Sequence, residues 1–212
     1  MRIIDLSYKL SNNMSSYSEE EKAQIKDFAT FEKDNFNEKK LEIFSHTGTH
    51  IDAPYHMIDN AKTIDEYPVE YFMGKALLID ISEYYLVPLE DFKENESKLK
   101  EVDFIIFRTG WDIYYGMDEY LKFYPSIDLD CAEYIATFDN IRGIGIDTIS
   151  VDDFSNKSYD VHKAILGSGK IIIENLRNLE QIEDKTIFTL NALPINIEKG
   201  DGSLTRAIAI IK

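Results

Sequence analysis

Short apolar runs separated by polar, turn-forming residues recur along the chain, and this pattern predicts strands that alternate with helices. Seven runs have the length and composition of strands: residues 3–6, 76–81, 103–107, 143–146, 171–173, 186–190 and 204–211. Amphipathic segments predict helices at 88–100, 129–138 and 161–166, and a short helix capped by Thr63 or Asp65 should run to Phe72. The alternation favours the α/β class, with one domain over residues 1–212 built around a mixed central sheet.

Polar loops directly follow three of these strands, at residues 108–112, 147–153 and 174–175. Loops at strand ends are where α/β proteins usually assemble their sites, so we expect function at this edge of the sheet.

Residues 19–40 have a different character, because they are dense in Glu and Lys with Phe28, Phe31 and Phe36 interspersed. We interpret this stretch as a surface excursion, either a helix or an arm that packs against a partner subunit.

Three of the four histidines and one carboxylate fall within residues 46–56. His46, His50, Asp52 and His56 are separated by even numbers of residues, so an extended chain would direct all four side chains to one face. Imidazole nitrogens together with a charge-compensating carboxylate suit a divalent zinc or manganese ion. The spacing therefore predicts a metal site, but it leaves open which of the four groups binds the ion.

An extended conformation explains this stretch better than a helix does. The intervening residues include two threonines, a glycine and an isoleucine, all poor helix formers, and Pro54 would interrupt a helix. We predict a strand over residues 41–51 that ends in a turn near Pro54.

His162 and Glu174 are further candidates, although each has a structural alternative. Glu174 ends the apolar run 171–173, where a carboxylate is costly unless it is paired or bound to a metal. It could instead lie beside the N-terminus of a following helix, favoured by the helix dipole. His162 taken alone is more typical of a surface or core histidine than of a ligand.

The composition excludes several other classes of function. The net charge is −16 and the sequence pI about 4.6, which argues against nucleic acid and anionic membrane as partners. No signal peptide or run of about 18 apolar residues occurs, and the single cysteine, Cys131, is expected to be packed, so we expect a cytoplasmic protein. HExxH, GxSxG and phosphate-loop motifs are absent.

Residues 46–56, read HTGTHIDAPYH, resemble the HxGTHxDxPxH signature of the cyclase family of metal-dependent hydrolases, which includes kynurenine formamidases and isatin hydrolases. The resemblance extends to residues 4–7, 108–111, 145–152, 174–176 and 192–207. It departs after Tyr17, where the family often has Pro-Gly-Asp and this chain has Ser-Glu-Glu.

The resemblance implies a swivelling β/β/α-type fold, a homodimer or tetramer, and one or two divalent ions. It implies that His46, His50 and Asp52 bind a first metal and that His162 binds a second. Asp52 and Glu174 would be shared between the two metals. His56 would be the acid/base residue.

We therefore hypothesise a metal-dependent hydrolase of C–N bonds in a small formamide or cyclic amide, with Tyr17, Trp111 and the phenylalanines of 19–40 as pocket candidates. A ring-closing cyclase or dehydratase, and a metal-binding module without turnover, remain alternatives.

Overall fold

The computed structural model describes residues 1–212, and its regular elements are thirteen short strands and five short helices. The strands are β1 (Arg2–Asp5), β2 (Gln24–Ala29), β3 (Glu38–Glu42), β4 (His50–Asp52), β5 (Met73–Asp80), β6 (Leu86–Val87), β7 (Phe104–Arg108), β8 (Ser126–Ile127), β9 (Gly143–Ile146), β10 (Ile171–Glu174), β11 (Ile187–Asn191), β12 (Gly202–Leu204) and β13 (Ile208–Ile211). The helices are α1 (Phe31–Asp34), α2 (Leu89–Lys93), α3 (Glu96–Leu99), α4 (Leu129–Ala136) and α5 (Asp160–Gly167).

Nine strands form one mixed sheet in the order β1-β13-β11-β5-β7-β9-β10-β4-β12. Its centre, β5-β7-β9-β10, is parallel, and every outer pair is antiparallel. The α/β class with a mixed central sheet is therefore confirmed.

Successive side chains of a strand point to opposite faces of a sheet. Alternate residues of the central strands therefore pack into two separate hydrophobic cores. Ile172 of β10 packs on the face that α2, α4 and α5 cover, while its neighbours Ile171 and Ile173 pack on the other. That second core also contains Ile4 of β1 and Ile51 of β4, from opposite ends of the sheet, so the sheet curls around it. Cys131 of α4 is buried, as expected.

The C-terminal segment joins the two ends of the curled sheet. Thr205 N donates to Thr49 O next to β4, and two residues later Ala207 O accepts from Leu6 N next to β1. The single strand predicted over residues 204–211 is therefore wrong: the chain forms β12, changes partners and then forms β13.

The excursion at residues 19–40 is an arm whose main element is an antiparallel hairpin, β2 paired with β3, with the single turn of α1 between them. The side chain of Asn12 fixes its base, because it accepts from Ile25 N and donates to Ile25 O. Phe28 and Phe31 are exposed on the arm.

Three other predicted elements are shorter than expected. No strand covers residues 41–51, because Gly48 has a φ of +64° and the chain turns before β4 begins. The helix predicted over 63–72 is two 3-10 turns, Ile64–Glu66 and Val69–Phe72. The helix predicted over 88–100 is divided into α2 and α3 at the buried Asn95.

Candidate metal centre

The core of the site is built by strand pairing. β4 lies between β10 and β12 and is antiparallel to both, and the register places Glu174 of β10 opposite His50 of β4. Asp52, two residues after His50, projects to the same side of the strand. All three side chains are buried, and Glu174 Oε2 lies 3.5 Å from His50 Nε2. His50, Asp52 and Glu174 thus share one buried face of the sheet, although Glu174 follows Asp52 by 122 residues in the sequence.

His162 reaches the same place from the first turn of α5. Asp152 holds it there: one carboxylate oxygen accepts from Val161 N at 2.9 Å, and the other accepts from His162 N at 3.1 Å and lies 2.5 Å from His162 Nδ1. Asp152 therefore caps the start of the helix and fixes the ring, so that Nε2 faces Glu174 Oε1 at 3.3 Å.

His46 lies in the turn before β4 and contacts a carboxylate on each side. Its Nδ1 is 2.7 Å from Asp52 Oδ1, and its Nε2 is 2.9 Å from Oδ2 of Asp201, which immediately precedes β12. Gly202 follows Asp201, and a Cβ there would lie only 2.7 Å from His46 Cε1. The absence of a side chain at residue 202 thus makes room for the imidazole.

Three imidazoles share one arrangement, in which one ring nitrogen contacts an outer acceptor and the other faces inward. The outer contacts are His46 Nε2 with Asp201, His50 Nδ1 with Gly48 O, and His162 Nδ1 with Asp152. The inner nitrogens all face Asp52 or Glu174. Outer hydrogen bonds of this kind orient metal-binding histidines and select their tautomer.

Asp52 is the centre of this cluster. Its Oδ1 lies 2.7 Å from His46 Nδ1 and 3.2 Å from His50 Nε2. Its Oδ2 is buried without a hydrogen-bond partner, 3.6 Å from His162 Nε2. A buried carboxylate oxygen without a partner is costly, and a cation between it and the imidazoles would remove that cost.

The donor set therefore fits a divalent ion. Two groups of possible ligand atoms each lie within 4.8 Å of one another: His46, Asp52 and His56 in one, and His50, Asp52 and Glu174 in the other. Asp52 is the residue that belongs to both groups.

Burial and the carboxylates have opposite effects on the imidazoles. Burial is the largest single effect and favours the neutral ring, but the charge of Asp52 and the hydrogen bonds with the surrounding carboxylates together outweigh it and raise the pKa of His46 to about 9 and that of His50 to about 10. Burial likewise opposes ionisation of Asp52, yet His50 and His46 hold the pKa of its carboxyl well below the usual range. The cluster thus attracts positive charge, and a metal that binds there must displace protons.

His56 differs from the other three histidines because neither ring nitrogen has a hydrogen bond. It ends the 3-10 turn Pro54–His56, and its ring stacks over His46 with the centroids 3.9 Å apart. Its nearest carboxylate oxygen is Asp201 Oδ2, 3.7 Å from Nδ1. The side chain is 25% exposed, against 4–5% for His50 and His162, so it is the more accessible ring.

A cavity of about 360 Å³ opens above the cluster. His46, His50, His56, His162 and Glu174 all contribute to its wall. Its apolar part includes Tyr17 and Tyr159, whose hydroxyl oxygens are 3.2 Å apart, together with Phe44 and Met57. A small organic molecule in this cavity would touch the imidazoles directly.

The sequence-derived candidates all converge here, but not through the geometry that the spacing suggested. Only His50 and Asp52 lie on a strand; His46 is in a turn and His56 is in a 3-10 turn. The alternative role of Glu174 beside a helix start is wrong, because it ends β10 and accepts from Val151 N.

The sequence pattern does not identify two carboxylates of the site, Asp152 and Asp201. Each lies in a polar loop that has no regular spacing of apolar residues. Asp201 does lie next to Gly202 and Ser203, which belong to a segment that resembles the cyclase family. Among the pocket candidates, Tyr17 lines the cavity, whereas Trp111 packs on Tyr114 and donates to Tyr120 O. The phenylalanines of the arm do not line it.

A family model described as "Putative cyclase" matches residues 4–153 of the chain. The chain belongs to this cyclase family. The kynurenine formamidase of Bacillus cereus is 31% identical over 207 residues, covering 97% of this chain and 95% of the relative. No helix of this cyclase-family chain has the length and apolar character needed to cross a membrane.

Solved structures give the same picture of the cyclase fold. Isatin hydrolase A from Labrenzia aggregata, bound to benzyl benzoate, superimposes with a TM-score of 0.87 at 25% identity, covering 99% of this chain and 93% of that one. A structure described as a potential metal-dependent hydrolase with cyclase activity superimposes with a TM-score of 0.79 at 24% identity, covering 98% and 96%.

Proposed function

We propose that this chain is a metal-dependent hydrolase that cleaves the C–N bond of a small amide, such as an N-formyl amide or a cyclic amide. The observation that carries the proposal is the convergence of three oriented imidazoles on Asp52 and Glu174, beneath a cavity of about 360 Å³. The similarity to kynurenine formamidases and isatin hydrolases supports it.

We assign His46, His50 and Asp52 to a first ion and His162 to a second ion. Asp52 and Glu174 are shared between the two ions in this assignment. The ligand atoms are nitrogen and oxygen without a thiolate, which suits zinc or manganese. A divalent ion held there supplies polarisation of the amide carbonyl and a lowered pKa of water.

His56 is the group we assign to proton transfer. It lines the cavity, is more exposed than the buried histidines and has no hydrogen bond that would occupy a ring nitrogen. It would accept the proton of the attacking water as the new C–O bond forms. It would then donate that proton to the amide nitrogen as the C–N bond breaks, so that a carboxylic acid and an amine leave.

Asp201 is placed to support His56. Its Oδ2 forms a hydrogen bond with no other ring than that of His46, through Nε2, and it lies 3.7 Å from His56 Nδ1; the hydrogen bond with His46 and the nearby ring of His56 hold the pKa of its carboxyl well below its usual range. This carboxylate faces Nδ1 of His56 and would orient the ring so that its other nitrogen is directed at substrate.

The experiment that tests the function is a metal analysis followed by a hydrolysis panel. Protein purified without a metal-chelating column should contain one or two equivalents of a divalent metal per chain, and chelation should abolish activity that zinc or manganese restores. The panel holds N-formyl amines, isatin-like lactams and cyclic imides. Metal-loaded protein that releases product from none of them would contradict the proposal.

We also propose that residues 1–212 form one domain and that the chain acts as a homo-oligomer, dimer or tetramer. The support is the exposed, aromatic-bearing arm formed by β2, α1 and β3, which projects apolar side chains that no part of its own chain covers.

A further inference from the structure

The wall of the cavity contains carboxylates but neither Lys nor Arg among its eighteen residues. Besides the four histidines, its ionisable acids include Glu21, Glu174 and Asp201. The basic residue nearest to Glu21 in sequence, Lys22, pairs instead with Glu19 at 2.7 Å.

Of these carboxylates, Glu21 is the one that the metal centre does not compensate. Glu174 belongs to the proposed ligand set, and Asp201 contacts His46. Glu21 ends the 3-10 turn Glu19–Glu21, is half-buried, and accepts only the hydroxyl proton of Ser18, at 3.1 Å. Its negative charge therefore remains directed at the cavity.

The charge of Glu21 acts on its neighbours in the wall. The pKa of Tyr17 is raised to about 12, first by its hydrogen bond with Tyr159 and by burial, with further contributions from Glu174 and Glu21. An anion held beside Tyr17, away from the metal centre, would be repelled by the same carboxylate of Glu21.

The remaining wall carries no charge. Tyr17, Phe44, Met57, Ile149 and Tyr159 supply aromatic and aliphatic surface, and the neutral polar groups are those of Ser15, Ser16, Ser45, Ser150 and Asn175. A carboxylate buried against this surface and beside Glu21 would lose its hydration and meet no Lys or Arg that compensates its charge, which costs free energy.

Building on the amide hydrolysis proposed above, we propose that the substrate is an amide with an apolar body whose part away from the scissile bond is neutral or positively charged. Glu21 is the residue that selects against amides that carry a carboxylate there.

The test uses three formanilides that differ only in a para substituent: aminomethyl, hydroxymethyl and carboxymethyl. A methylene group insulates the amide from the charge, so the three compounds have similar intrinsic reactivity. With metal-loaded enzyme near pH 7, kcat/KM for the cation should exceed that for the anion by about tenfold or more. High salt should reduce this ratio, because it screens the partly exposed charge of Glu21.

The matched variants are Glu21→Gln and Glu20→Gln. The two residues share one turn, but Glu20 is exposed and does not line the cavity. Glu21→Gln should reduce the cation-to-anion ratio several-fold, whereas Glu20→Gln should leave it at the wild-type value.

Equilibrium dissociation constants of the same three compounds, measured by calorimetry, separate this inference from the proposed function. Turnover of all three compounds at equal kcat/KM would overturn the charge selection while amide hydrolysis stands. If none is hydrolysed, the ranking of the dissociation constants still decides: weakest binding of the anion, relieved by Glu21→Gln, supports the inference, and equal binding overturns it.

Discussion

At the scale of single residues, the cluster divides into side chains that share protons or a cation and one side chain that remains free. Asp52 connects the imidazoles of His46, His50 and His162, whereas His56 has no hydrogen bond. This difference predicts separable effects of substitution.

Replacing His56 should affect turnover, and replacing His50 should affect metal content. His56→Ala should keep its metal and lose about 10²–10⁴-fold in kcat, the usual contribution of a positioned proton-transfer group. His50→Ala should lose metal, because it removes a buried nitrogen 3.2 Å from Asp52 Oδ1. Metal analysis and kcat on the same preparations check both. If both variants kept full metal and full activity, the assignment would be wrong.

Asp201→Asn should lower kcat more than it raises KM. The amide oxygen can still accept from His46, but it no longer presents a carboxylate that orients His56, and losses of about 10–100-fold are typical when such an outer partner is removed. Glu198→Gln is the control, because Glu198 is an exposed carboxylate in the same loop. An equal effect of both substitutions on kcat would show that Asp201 acts only through general surface charge.

The sequence predicted the convergence of the histidines but not the carboxylates that hold them. Even spacing placed His46, His50, Asp52 and His56 together, although Gly48 bends the chain so that a turn, not a long strand, brings His46 inward. Asp201 could not be inferred from spacing, because its role depends on β12 pairing with β4 across 150 residues of intervening chain. Long-range pairing of this kind leaves no local pattern.

At the scale of elements, the contact between β4 and β12 leaves no room for a side chain at residue 202. A Cβ there would lie 2.6 Å from Ile51 O and 2.7 Å from His46 Cε1. Gly202→Ala should therefore separate the strands, displace His46 and weaken metal binding, with an overpacking cost of about 1–3 kcal/mol.

The measurements are a chelator competition and a denaturant titration. Gly167→Ala is the matched control, since a Cβ at that helical position meets nothing closer than Ile58 Cδ1 at 3.8 Å. It should leave metal affinity unchanged and hold or slightly raise stability. Wild-type affinity in Gly202→Ala would contradict the close approach.

Asp147 ties the ends of β7 and β9 together and should give stability a pH dependence of its own. Its buried carboxylate accepts from Thr109 N, Thr109 Oγ1 and Gly110 N, yet burial outweighs these bonds and raises its pKa from 3.8 to about 6. The folded protein thus holds this proton more tightly than the unfolded chain does. The free energy of unfolding from this group is highest below about pH 4, falls as pH rises through 6 and is constant above.

The size of that change is on the order of 3 kcal/mol, from about two pKa units. Urea titrations of metal-free wild type and Asp147→Asn between pH 4 and 7.5 isolate it. The stability of wild type relative to the variant should fall across this range. A difference that stays constant with pH would show that Asp147 does not titrate there.

At the scale of the whole molecule, the parallel centre of the sheet was predictable, whereas the hairpin of the arm and the division of the last predicted strand into β12 and β13 were not. Strands β5, β7, β9 and β10 are short apolar runs separated by helices. Runs of this kind are typical of a parallel sheet that is buried on both of its faces. The arm is exposed and charged, so hydrophobic periodicity carried no information about its hairpin.

The proposed oligomer predicts that the arm lies in a subunit interface. Phe28→Ser combined with Phe31→Ser should shift the mass measured by light scattering toward the monomer, because these side chains are 70% and 65% exposed in the isolated chain. Ile113→Ser is the control, since Ile113 is equally exposed at 70% but lies outside the arm. An unchanged mass in the double variant would place the interface elsewhere.

The sequence separation of 155 between His46 and Asp201 also bears on how the protein is made. A growing polypeptide contains the HTGTHIDAPYH segment long before it contains Asp201, β12 and the strand β13 that joins β1 to β11. Until these residues are translated, β4 has an unpaired edge and His46 lacks its outer contact. The site is therefore completed only after residue 201 has been translated, and a chain whose translation stalls before that residue has every histidine of the motif without the framework that positions them.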